Sequence, residues 1–143
     1  MIFAKIHPLV VHFPVALLVS GVVFEYYGRF QNEITAREAG RFNIRFGFWW
    51  TLAAVAVGLG GLFELELREN FRTFLTYHIT LAGSTLIIFG AAVALLRWGG
   101  GRPWVPPFYW ILITLGLFCV LGTGYFGGEL VHRFGVATPH PVP

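Results

Sequence analysis

Four stretches of this chain contain no aspartate, glutamate, lysine or arginine: Pro8 to Phe24, Phe46 to Phe63, Tyr77 to Leu96 and Val105 to Gly128. A helix rising ~1.5 Å per residue needs roughly 20 residues to cross a hydrocarbon core of about 30 Å. Each stretch therefore predicts one membrane-spanning helix, with flanking residues making up any deficit. The expected spans are 8–28, 46–64, 76–97 and 105–127. They leave no room for a second domain, so residues 1–143 read as an all-α integral membrane four-helix bundle with both termini on the same side.

The polar stretches between the runs are short. His7-Pro8 reads as a helix start, because proline is tolerated at the first helical position, and His7 is then expected at the cap. Pro14 removes one backbone bond and frees the carbonyl of Val10, which predicts a bend beside His12. Arg29 to Arg45 reads as a connector with a short surface helix. The second span is rich in small residues, including Gly58, Gly60 and Gly61, which permit close helix approach or leave a groove for a flat cofactor. Gly127-Gly128 is a candidate end for the fourth helix, and Gly124 with Gly128 forms a GxxxG pair. No internal repeat, phosphate-binding glycine loop or nucleophile elbow is visible.

Composition agrees with the pattern. The chain is 56% hydrophobic and 12% charged, against about a quarter charged in soluble domains. The first run follows only Lys5 but lacks a small-residue cleavage site before Phe24, so it reads as a retained span. The lone Cys119 has no intrachain partner and reads as buried packing. A net charge of +3 spread over short loops excludes a nucleic-acid footprint. It serves instead as a topology signal: Arg29, Arg37, Arg41, Arg45, Arg97 and Arg102 stand against Lys5, Arg68, Arg72 and Arg133. Trp49, Trp50, Trp98, Trp104 and Trp110 all fall at the ends of the first and third connections. Both asymmetries predict a multi-pass protein of the bacterial inner membrane with periplasmic termini.

Candidate chemistry gathers at the end carrying the termini. His7, His12, His78 and His132 lie there with Glu64, Glu66, Glu69 and Glu129, whereas His140 falls in a proline-rich tail and reads as solvated. An imidazole inside a span needs a partner. Imidazoles on two facing helices are what axial ligation of a b-type haem requires. His12 and His78, each inside a span and from different helices, are the expected axial pair. His7 and His132 are further cofactor-binding candidates. Glu64 and Glu129 are expected beside His7 and His132, fixing their tautomers. Two alternatives stay open. Glu129-Leu130-Val131-His132 has the Glu-x-x-His spacing of di-iron bundles, which would make a non-haem metal site. Otherwise the histidines cap helices and bond carboxylates or backbone in a cofactor-free structural or assembly subunit.

His7-Pro8-Leu9-Val10-Val11-His12-Phe13-Pro14-Val15-Ala16-Leu17 and Gly127-Gly128-Glu129-Leu130-Val131, followed by Arg133, Gly135 and Val136, resemble the two signatures of the bacterial domain of unknown function 2231 family. Gly61-Leu62-Phe63-Glu64 and His78-Ile79-Thr80-Leu81-Ala82 fit its middle portion, with Glu64 where aspartate is expected and His132 where relatives carry tyrosine. The resemblance covers nearly the whole chain and implies four membrane helices with a haem-binding or respiratory role. The combined expectation is a haem b electron-transfer protein without catalytic activity of its own, a small subunit of a respiratory or photosynthetic complex. Its expected partners are the lipid bilayer, the other membrane subunits, and a cytochrome c or quinone.

Overall fold

The computed structural model describes residues 2–65 and 69–136, and they are helical throughout with short connections. The elements are α1 (Ile2–Val10), α2 (His12–Phe30), α3 (Ile34–Glu64), α4 (Glu69–Trp98) and α5 (Val105–His132). Consecutive α1 and α2 form one span, so four helical segments are long and apolar enough to cross a membrane. His140, Glu66 and Arg68 lie outside the described residues.

The helices run past the expected spans at both ends. α1 begins at Ile2, so His7 is inside a helix and not its cap. Glu64 does the capping: its carboxylate accepts the Ile2 N–H at 3.0 Å and the Ala4 N–H at 3.1 Å, two donors that a helix start leaves unpaired. The interruption falls at Val11, one residue after the Val10 carbonyl that Pro14 cannot serve. Val11 keeps helical angles, with φ −65° and ψ −20°, and both its backbone groups stay bonded, the N–H to the His7 carbonyl at 3.1 Å and the carbonyl to the Val15 N–H at 3.2 Å, so the backbone path stays helical. Residues 34–45 are no separate surface helix but the first turns of α3, and the reversal before them is made at Asn32 with φ 57°. Gly127-Gly128 lies inside α5, which continues to His132.

Buried positions recur at alternating steps of three and four. They are Pro14, Leu18, Gly21, Glu25 and Gly28 in α2, and Gly40, Ile44, Gly47, Thr51 and Ala54 in α3. Thr85, Phe89 and Ala92 in α4 and Tyr109, Ile113, Gly116 and Val120 in α5 follow the same rule. A 3.5-residue step is the period of a coiled-coil seam, which lets each helix present one stripe to its neighbours over its whole length. Glycine on that stripe brings α2 and α3 into backbone contact. A Cβ on Gly40 would stand 2.8 Å from both the Glu25 nitrogen and the Gly21 carbonyl oxygen.

The bundle is two hairpins, α1–α2 with α3 and α4 with α5, joined through a core of Leu18, Val22, Ile44, Phe89 and Ile113. The hairpins repeat one design. Gly47 faces Leu18 and Gly116 faces Phe89, each too closely for a side chain. Gly47 and Gly116 are 69 residues apart, and Leu18 and Phe89 are 71 apart. The repeat escapes a reading of the sequence because the equivalent positions share size and not identity. At the end where α1 begins the hairpins part on one side only: no Cα of α1 comes within 8 Å of one in α4 or α5, while Leu62 of α3 still packs against Phe71, Leu75 and Leu130.

Candidate functional site

Continuing the α2 stripe backwards by the same steps, from Pro14 through Val11, reaches His7 and then the buried Ala4. Continuing the α4 stripe from Phe71 and Leu75 reaches His78 and then Thr85. Both imidazoles therefore point into the bundle at the level where the hairpins part. Their ring centroids are 6.1 Å apart and their planes perpendicular.

Each ring is held by the partner helix of its own hairpin in the same way. His7 Nδ1 lies 3.1 Å from the Ala54 carbonyl oxygen, and a Cβ on Gly58, one turn further along α3, would meet His7 Cε1 at 2.8 Å. His78 Nδ1 lies 3.0 Å from the Thr123 carbonyl oxygen, and a Cβ on Gly127, one turn further along α5, would meet His78 Cε1 at 3.1 Å. A carbonyl only accepts, so Nδ1 of each ring is the donor and Nε2 is the ring nitrogen not used by that bond. The spacing from Ala54 to Thr123 and from Gly58 to Gly127 is again 69, as His7 to His78 is again 71.

His12 lies off this stripe. It is exposed, and its Nδ1 donates to the Pro8 carbonyl, an oxygen of its own turn. The ring that meets His78 is therefore His7 and not His12, because a seam repeating every 3.5 residues selects position 7 and turns position 12 outward. His132 is exposed at the end of α5. Glu129 reaches Arg133 at 3.5 Å along the same helix. The expected placement of Glu64 at His7 gives way to a backbone partner, since the Ala54 carbonyl takes the His7 Nδ1 proton while Glu64 caps α1. Among the described residues, no three histidine, cysteine or glutamate side chains converge on a point suited to a metal ion.

Small residues of the second span are used for packing. Gly60 faces Phe3 and Gly61 faces the Ala4 backbone, so α1 fills the groove beside Gly58. Gly124 and Gly128 have nothing within 4 Å of their Cβ positions and pack against no helix of this chain.

A family model described as a predicted membrane protein, DUF2231, matches residues 4–140. The chain belongs to that family. Neither the curated proteins nor the solved structures compared with it contain a match.

This DUF2231 protein holds a second polar cluster at the opposite end, around Glu25 near the predicted end of the first span at residue 28. Glu25 is 0% exposed. Its Oε1 accepts from Arg41 Nε at 3.1 Å and from the Tyr109 hydroxyl at 2.8 Å. Glu25 falls on the α2 stripe between Gly21 and Gly28, and that register is the sequence signal that would have revealed it. Beside it the Tyr26 and Thr114 hydroxyls bond across the hairpins, and Tyr26 packs on Trp110 with centroids 4.9 Å apart.

Proposed function

We propose that this DUF2231 protein is a haem b-binding electron-transfer subunit of a bacterial membrane complex, with His7 and His78 as its axial ligands. The observation that carries the reading is the pair of imidazoles from two hairpins, each fixed at Nδ1 by a helix carbonyl, which leaves Nε2 of each as the atom that could engage a metal. A haem iron taken up between the two rings, whose centroids are 6.1 Å apart, would be held by His7 and His78. The donor set is that of a bis-imidazole site.

Haem b, when bound, supplies a one-electron couple. The chain's own residues do the rest. The Ala54 and Thr123 carbonyls set tautomer and ring orientation and raise the basicity of the free nitrogen. Gly58 and Gly127 leave room for the Cε1 edge of each ring to approach α3 and α5. The arginine and tryptophan asymmetry supports periplasmic termini, and a membrane cytochrome of this size would exchange electrons with a cytochrome c or quinone.

A reduced-minus-oxidised spectrum of the purified full chain tests the reading. A sharp visible band of low-spin haem is expected. Its absence after expression with ample haem would leave a cofactor-free scaffold as the better description.

A further inference from the structure

The cluster around Glu25 is a built site that the histidine chemistry does not use. Glu25 Oε2 and Arg37 Nε are both buried and have no hydrogen-bond partner in the protein. They border a cavity of about 90 Å³ lined also by Arg41 and Tyr109, with Leu96 and Trp110 as apolar walls. A buried carboxylate oxygen and a buried guanidinium nitrogen are each costly to leave unpaired, so the cavity calls for an occupant that both donates and accepts.

We infer that this pocket binds the headgroup of a phospholipid bearing a primary ammonium, with the ammonium on Glu25 Oε2 and the phosphate on Arg37 and Arg41. Three observations select this ligand. Volume is the first: an enclosed aromatic ring needs a cavity of about 150 Å³, whereas an ammonium is close to a water at about 30 Å³ and fits. Charge is the second. One carboxylate and two guanidiniums sum to +1, which suits a phosphate, yet a simple anion would leave Glu25 Oε2 without a donor and facing like charge. A zwitterion satisfies both ends with charge-assisted bonds. Depth is the third. Arg45 is the last charged residue of α3 before the uncharged run to Phe63, and Arg41 lies one turn, about 6 Å, beyond it. That is the headgroup layer, where basic pockets between helices bind lipid.

The site stands at the other end of the bundle from His7 and His78, so its fate is separable from theirs. The test embeds the full chain in nanodiscs holding equal phosphatidylethanolamine and phosphatidylcholine, and reads by native mass spectrometry which lipid stays bound. The two share phosphate and net charge, but the trimethylated choline has no N–H. The wild type should retain the ethanolamine lipid about tenfold over the choline lipid, the ratio that one charge-assisted hydrogen bond supplies. Glu25→Gln should bring the ratio close to one. Arg37→Gln, which leaves the bonds among Glu25, Arg41 and Tyr109 in place, should lower retention of both lipids. Equal retention by the wild type would mean that the cavity holds only water and would overturn the assignment. An undiminished preference in Glu25→Gln would overturn it as well.

Discussion

His7 and His78 face each other across the bundle with perpendicular rings 6.1 Å apart, and each lies on a glycine of its own hairpin partner. Neither ring is placed by the other. The Ala54 and Thr123 carbonyls position them independently, so the pair is preorganised by two copies of one local device. The same contact pattern, a carbonyl on Nδ1 and a glycine one turn further on, thus serves both hairpins.

Loss of either seam histidine should abolish haem binding. His7→Ala and His78→Ala are each expected to lack the visible haem band in membranes, while His12→Ala, altering an exposed ring, should retain it. A full band in the His7→Ala, His78→Ala double variant would remove the basis of the assignment.

Gly58→Ala should displace the His7 imidazole, because its methyl would stand 2.8 Å from Cε1. Overpacking of this kind costs about 1–3 kcal/mol. Gly83→Ala is the control, with nothing within 4 Å of its Cβ. Detergent-titrated unfolding monitored by circular dichroism should show the first variant destabilised and the second unchanged. Equal stability of the two would mean that the ring has room to move.

Tyr109→Phe removes the hydroxyl that donates to buried Glu25 at 2.8 Å. A hydrogen bond to an ionised group is worth about 1.5–3 kcal/mol, and that loss is expected in the same unfolding measurement. Tyr125→Phe, at a residue 63% exposed, should be nearly silent. Combining Tyr109→Phe with Glu25→Gln should cost less than the sum of the two, since the residues share one bond. Strict additivity would contradict the coupling.

Glu64→Gln should loosen the first turn of α1, whose Ile2 and Ala4 N–H groups it accepts. Weakening a helix cap costs about 0.5–2 kcal/mol. Faster hydrogen exchange confined to the start of α1, with haem content preserved, is the expected result. Unchanged exchange together with a shifted midpoint potential would assign Glu64 to the cofactor instead.

Arg29, Arg37, Arg41, Arg45, Arg97 and Arg102, in or beside the α2–α3 and α4–α5 turns, predict an orientation with that end inside. A cysteine replacing Gly100 in intact bacteria should resist an impermeant thiol reagent, and one added after Pro143 should react. The reverse labelling pattern would invert the topology.

Sequence alone determined that the chain spans a membrane four times, because hydrocarbon accepts only backbone that bonds to itself, and uncharged runs of about twenty residues are its direct signature. It also pointed to the end that carries His7 and His78, since an imidazole in an apolar run stands out wherever the helices go. Which histidine turns inward was decided by the tertiary structure. Hydropathy is nearly uniform around a membrane helix, so it does not separate the face toward lipid from the face toward protein. The 3.5-residue register does, and here it is marked by glycines whose value lies in the backbones they allow to meet. On that register His7 and Glu25 belong to the interior and His12 to the outside. Glu25 stayed hidden for the same reason, as a charge near a helix end reads as solvated until a second hairpin closes over it.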